Sequence, residues 1–448
     1  MSHGTVIIGN GIAGITTARY LRKYSDQRIQ VISSETPYFF SRTALMYVYM
    51  GHMKFEQIKP YEDWFWEKNK IELVQARVER LDVQTKKLIL DTGESISYDK
   101  LVIATGSKPR FFGWKGQDLQ GVQGLFSYQD LQLLEENTPR PYEEGHPTKK
   151  AVVVGGGLIG VELAEMLNTR AIDVTMLVRD GHFWGNVITE NEGKWIGKHI
   201  EDHGVKLQLN TELKEILADD TGGVAGVLTG NDDKIDCQLV GLTTGVQPNI
   251  DFLKGSGIEI NRGVMVDEKL RTNVADVYAA GDCAELRNPL PGRKAIEPVW
   301  YVGRMMGEAL GRTLSGTDSP YLPGPWFNSA KFFDIEYMTY GTVSAKPAEG
   351  EDQFFWKQEG KNRFLTIAYE KESQKFLGIN SFGIRLKHEF FDLALRKGWK
   401  IGRVVGHLKL ANFDPEFSPK WFKKMGRDFT DQTGIAQDKP GLFKKNFA

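Results

Sequence analysis

A strand–turn–helix signature that occurs twice constrains this chain more than any other feature. Near the start, Thr5-Val6-Ile7-Ile8 reads as a short buried parallel strand, and Gly9-Asn10-Gly11-Ile12-Ala13-Gly14 turns it directly into a helix. Further on, Ala151-Val152-Val153-Val154 enters Gly155-Gly156-Gly157-Leu158-Ile159-Gly160 with the same glycine spacing. In this pattern the first glycine permits a tight turn, the second lets backbone approach a diphosphate, and the third lets helix and strand pack closely. The helix N-terminus adds unpaired N–H groups and a partial positive charge. One such motif is weak. Two, each between a strand and a helix, predict two dinucleotide-binding units in an α/β fold.

The residues beyond each turn refine this expectation. Ile12, Ile15, Tyr20 and Leu21 give the first helix an apolar face as far as Tyr24. A second strand, Ile29–Ile32, follows. Beyond it Glu35 falls close to the place where a carboxylate takes ribose hydroxyls. Ser33 or Ser34 holds the usual strand-end spot. In the second unit the corresponding place, just after the strand Val174–Val178, is Arg179. A cation there suits a 2′-phosphate, so NADPH is favoured over NADH, against the neighbouring Asp180.

Two strands end in small residues, Ala104-Thr105-Gly106 and Thr243-Thr244-Gly245, where a ligand can lie against backbone. A third short strand, Val277–Ala280, delivers Gly281-Asp282 to the sheet mouth. Asp282 can accept from a sugar-alcohol hydroxyl, cap a following helix, or do both. Arg42, after Phe39-Phe40-Ser41, reads equally as a bidentate phosphate ligand or a surface residue at a helix start.

Composition excludes several classes. The 448 residues exceed one ordinary core, and a net charge of −1 argues against a general nucleic-acid binder. Only Cys237 and Cys283 occur, far apart, so a redox dithiol is absent and a reducing, cytoplasmic setting is expected. No metal-ligand spacing stands out. Residues 1–4 carry no basic or apolar segment, so no signal peptide is expected, and no run of about 18 apolar residues occurs.

The rest reads coarsely. A short aromatic helix is expected over 61–68, strands over 71–98 with a hairpin at Asp91–Glu94, and a polar linker over 136–149. Strands with glycine-rich turns follow over 205–241, and a helix over 298–314. A Pro/Gly joint from Pro320 opens a third region. It has strands near 331–341, 353–357, 363–369 and 376–382, then a helix near 385–397. The C-terminal stretch over 421–448, rich in Lys, Gly and Asp, reads as a surface wrap or frayed tail. Lys420, Lys423, Lys424, Lys444 and Lys445 lie in it or at its edge; a solvated tail is the simpler reading, an anionic contact the other.

Taken in order, these motifs resemble the FAD-dependent pyridine nucleotide–disulfide oxidoreductases over the whole chain. The likeness is greatest to the branch of ferredoxin, rubredoxin and nitrite reductase flavoproteins. It rests on the two glycine motifs, Ser41-Arg42, Ala104-Thr105-Gly106, Gly245-x-x-Pro248-Asn249 and Tyr278-Ala279-Ala280-Gly281-Asp282. The resemblance implies an FAD domain split into 1–115 and 251–320. An NAD(P)H domain over 116–250 is inserted, and a C-terminal α+β interface domain over 321–448 can form a homodimer. It implies that Gly9, Gly11, Ile12, Ala13, Gly14, Ser34, Glu35, Arg42, Ala104, Thr105, Gly106, Gly281 and Asp282 hold FAD. Gly155, Gly157, Gly160, Arg179 and Gly245 would hold the nicotinamide nucleotide. Glu162 would lie near the nicotinamide, and Glu297 to Trp300 near the flavin pyrimidine edge.

The sequence departs from the family in two places. The redox cysteine expected near Ser41 is missing, and the lysine expected beside the flavin falls at Met46 or Tyr47. A Lys–Glu pair with Glu162 therefore cannot form; Glu162 and Tyr47 remain the catalytic candidates. The implied activity is hydride transfer from NAD(P)H to FAD, then electron transfer to a small iron–sulfur protein, quinone or oxygen. A flavin-bound redox sensor or assembly factor with little turnover is the alternative.

Overall fold

The first glycine-bent turn lies at the centre of a five-stranded parallel sheet. Its order is Ile71–Gln75, Ile29–Ser33, Thr5–Ile8, Lys100–Ile103 and Val277–Ala279. The structure is a computed structural model describing residues 3–139, 148–414, 416 and 421–438. Val6, Ile7, Leu101 and Val102 are fully buried, as a sheet covered on both faces requires.

The second turn lies at the centre of a sheet of the same plan. Its order is Lys206–Leu209, Asp173–Val178, Lys150–Val154, Leu239–Leu242 and Val122–Gln123, again all parallel. Each unit also carries a three-stranded antiparallel sheet, Val78–Asp82 with Lys87–Leu90 and Ser95–Ser97, and Leu213–Ala218 with Val224–Thr229 and Lys234–Asp236. The fifth strand of the first sheet lies beyond the second unit in sequence. Antiparallel Ser107–Pro109 and Val246–Pro248 carry the chain out of the first unit and back.

Helix Ile12–Tyr24 packs against helix Trp300–Leu314 through a stripe of small residues. A methyl group on Gly307 or Gly311 would come within 2.6 Å of the Ala13 carbonyl oxygen or of Tyr20 Cβ, so larger residues cannot stand there. The return segment is thereby locked onto the helix that follows the first turn.

The third region is a five-stranded antiparallel sheet in the order Phe327–Phe332, Ile335–Gly341, Phe376–Phe382, Phe364–Glu370, Glu351–Lys357. The stretch read as one strand near 331–341 is a hairpin turning at Phe333-Asp334, with Phe333 at φ +52°. Helix His388–Arg396 follows near the expected place.

The tail reading is corrected. Trp421–Thr433 is a helix that buries Trp421, Phe422, Met425 and Phe429 in the same core as Phe354 and Trp356. Spacing outweighs composition here, because these four residues fall on one helical face among the lysines. Lys420, Lys444, Lys445 and part of the 136–149 linker lie outside the described residues. Among the described residues, no helix is long and apolar enough to cross a membrane.

Candidate functional site

At the first crossing, a methyl group on Gly9, with φ +111°, would sit 2.1 Å from the Ala104 carbonyl oxygen, so only glycine turns the chain here. A methyl on Gly11 would meet nothing within 4 Å, which leaves the turn open for a ligand to approach backbone. Helix Ile12–Tyr24 has no side-chain cap and no acid in its first turn. Helices Tyr128–Asn137 and Glu190–Asp202, by contrast, carry full capping boxes. This leaves N–H groups at the helix start above Gly11 without a side-chain cap, the kind of donors that can receive an anion.

Three further segments converge on this turn. Gly281 approaches Ala13, since a Cβ on it would lie 2.8 Å from Ala13 Cβ. Beside it, Asp282 accepts from the Ser107 hydroxyl at 3.1 Å. Burial raises the Asp282 carboxyl above its usual range, opposed by the Ser107 hydrogen bond and the Arg42 charge. No helix follows Asp282, because Ala284–Leu286 is a strand; the helix-cap reading is overturned. Arg42 donates to Glu35 through both terminal nitrogens, at 2.8 and 2.5 Å, and to the Phe126 carbonyl at 2.5 Å. Tyr128 N–H donates to the same Glu35 carboxylate at 2.8 Å. Glu35 thus fixes Arg42, and only its remaining lone pairs are free for a ribose. Ser34 is exposed beside it.

At the second crossing, helix Leu158–Asn168 is likewise uncapped and free of acid in its first turn. A Cβ on Gly157 would be 3.8 Å from Trp184 Nε1, while Gly155 and Gly160 are pressed against Thr243. Arg179 is largely exposed, 3.8 Å from Asp180. Glu162 lies deep among protein atoms with partial solvent access, and burial pushes its carboxyl up to about 7, with a smaller contribution from Glu165. Helix Leu45–Tyr49 packs on this helix and carries Tyr47, which stacks on His52 at 6.2 Å.

The two strand ends clasp the opposite crossover segments. Thr105 donates to the Asn249 carbonyl at 2.7 Å and Thr244 to the Arg110 carbonyl at 3.0 Å. Both hydroxyls serve the backbone, while Gly106 and Gly245 present open space. Glu297 is buried, with both oxygens held by Arg293 at 2.7 and 2.5 Å, so its carboxylate braces the segment leading to Trp300. Ser107, Phe126 and Tyr128 were not expected from sequence. Ser107 adjoins a recognised strand end, whereas nothing local marks the other two.

Comparison with known proteins gives the family. The profile of the pyridine nucleotide-disulphide oxidoreductases matches residues 3–307. An NADH oxidase of Methanocaldococcus jannaschii is 32% identical over 343 residues, covering 74% of each chain. The ferredoxin–NAD(+) reductase subunit of a Pseudomonas putida benzene 1,2-dioxygenase system is 30% identical, covering 73% of this chain and 78% of its own. A NAD-dependent persulfide reductase from A. fulgidus shares the fold with a TM-score of 0.83 at 24% identity, over 96% of this chain and 84% of that one. The chain belongs to the pyridine nucleotide-disulphide oxidoreductase family and is an FAD-dependent NAD(P)H oxidoreductase.

Proposed function

We propose that this oxidoreductase delivers its electrons to a small iron–sulfur protein. The observation that carries this reading is the pairing of two open glycine cradles with the absence of a reactive thiol. Both cysteines are buried and unpaired, with Cys237 pushed up to about 12 and Cys283 raised, each mainly by burial. An internal disulfide relay is therefore unsupported, and electrons must pass to an acceptor outside the chain. The ferredoxin and rubredoxin reductases among the relatives support a protein acceptor. The NADH oxidase supports oxygen as the second reading.

In this reading the first crossing holds FAD: Gly11 and the N-terminus of helix Ile12–Tyr24 take the diphosphate, and Asp282 takes the ribityl hydroxyls. Bound FAD supplies a two-electron acceptor for the nicotinamide hydride. The second crossing takes NAD(P)H at Gly157, with Arg179 favouring the 2′-phosphate. Glu162 positions the nicotinamide, while Tyr47 and Trp300 border the flavin. A cytoplasmic setting and pairing through the C-terminal domain complete the proposal; light scattering tests the pairing.

The deciding experiment is anaerobic rapid mixing of flavin-loaded protein with NADH or NADPH, followed by turnover with ferredoxin, rubredoxin, quinone, oxygen and ferricyanide. Rapid bleaching and ferredoxin- or rubredoxin-dependent turnover are expected. Turnover only with oxygen selects the second reading. Reduction that stalls after one flavin equivalent with every acceptor overturns both and favours a sensor.

A further inference from the structure

Away from both crossings, two histidines and an aspartate converge where the nucleotide unit meets the C-terminal sheet. His199 lies on helix Glu190–Asp202 and His203 is its C-terminal cap, one helical turn on and therefore on the same face. Asp334 sits at the hairpin turn between Phe327–Phe332 and Ile335–Gly341. Its Oδ1 is 2.6 Å from His199 Nε2 and 3.7 Å from His203 Nε2, and the three ligand atoms lie within 4.8 Å of one another. We propose that His199, His203 and Asp334 bind a divalent transition metal of the zinc class, which clasps the nucleotide unit to the C-terminal domain.

Three features support a ligand set over a plain ion pair. First, His203 Nδ1 lies 2.9 Å from the His199 carbonyl oxygen. A carbonyl only accepts, so Nδ1 carries the hydrogen and Nε2, which faces Asp334, is the nitrogen available to a metal. Second, His199 is 5% exposed, yet its Nε2 makes no aligned hydrogen bond despite the close oxygen. Its Nδ1 lies 3.3 Å from the Asn362 amide nitrogen, and the same amide turned over would present oxygen to an Nδ1–H and free Nε2 for a metal. Third, a cavity of about 290 Å³ opens beside the cluster, lined by His203, Asp334, Glu165 and Lys331.

Tetrahedral bonds of about 2.0–2.2 Å place ligand atoms about 3.4 Å apart, so the Asp334 oxygen must draw back from His199 to admit a metal between them. Its side chain is 74% exposed and free to do so. Water from the cavity completes the fourth position. Glu165 adds a carboxylate whose Oε2 is buried without a partner, and Lys331 balances it at 3.4 Å. Two imidazoles with one carboxylate suit zinc, cobalt or nickel rather than magnesium or calcium. Asn168 and Thr169 also line the cavity, at the end of helix Leu158–Asn168 opposite Gly157. That helix is about 16 Å long, so metal binding is separable from nucleotide binding.

The test uses untagged, flavin-loaded, chelator-treated protein titrated with Co²⁺ and Zn²⁺. A single equivalent of Co²⁺ should give ligand-field absorption beyond the flavin band, displaced by Zn²⁺. H203Q and D334N should each weaken binding about tenfold or more, with flavin reduction by NADH unchanged. Asp334 is exposed, so D334N keeps the fold, and a melting curve confirms it. No bound metal in the wild type, or wild-type affinity in both variants, overturns the site.

Discussion

The two glycine-bent crossings share a backbone plan and differ in what surrounds them. At the first, Ser107 holds Asp282, and Arg42, Glu35 and the Phe126–Tyr128 segment form a second hydrogen-bonded group, both drawn from distant parts of the chain. At the second, the candidate specificity residue Arg179 projects into solvent, paired only loosely with its neighbour. A ligand fixed by many converging segments leaves slowly, whereas one held at an open edge exchanges. The contrast suits a resident FAD at the first crossing and a nucleotide that comes and goes at the second.

The sharpest way to break this comparison is to block each cradle in turn. Gly11→Leu fills open space without striking backbone, so the chain should fold but bind FAD about a thousandfold more weakly, about 4 kcal/mol. Circular dichroism and flavin content measure both halves of that statement. Normal flavin content in this variant would contradict the assignment of the first crossing.

Glu162 gives the next largest effect, through pH. Its carboxyl is raised from 4.5 to about 7. The folded chain therefore holds a proton that the unfolded chain has already released. The resulting stabilisation is complete below about pH 4.5 and is lost as pH rises through about 7, in total about 3 kcal/mol. Glu162→Gln should flatten the fall in melting temperature across that window. An unchanged pH profile would mean that Glu162 is not desolvated.

Gly157→Leu should leave flavin content intact and raise the KM for NADH about thirtyfold, about 2 kcal/mol. Loss of flavin instead would exchange the roles of the two crossings. Arg179→Asp should cost about tenfold in kcat/KM for NADPH and spare NADH, since the side chain is exposed and its charge partly screened. A wide preference of the wild type for NADH would already remove the reason for that variant.

What the sequence disclosed follows the range of the interactions. The glycine motifs and strand ends were legible because a turn, a helix start and a close approach are decided within about ten residues. The hydrogen-bonded partners around the first crossing were not. Arg42 meets Phe126 and Glu35 meets Tyr128 across 84 and 93 residues, and no local pattern marks those partners. Asp282 shows the reverse error, in which a good capping residue precedes a strand instead of a helix. In the tail, lysines obscured Trp421, Phe422, Met425 and Phe429, whose helical spacing was present all along. The two histidines spaced as His199 and His203 carried no weight until Asp334, from a different domain, was brought beside them.

The smallest effect tests the Ser107–Asp282 pair. Ser107 donates to Asp282 at 3.1 Å, and that bond opposes the upward push of burial on the carboxyl. Removing it with Ser107→Ala leaves Asp282 harder to ionise and so a poorer acceptor for a sugar hydroxyl. Only part of that bond's worth, about 1 kcal/mol, should reach the ligand, so flavin affinity should fall about fivefold and more steeply at low pH. Asp282→Asn should lose the pH dependence altogether, because an amide does not titrate in this range. If Ser107→Ala weakens FAD equally at every pH, the bond merely positions Asp282, and the first crossing is held by shape more than by charge.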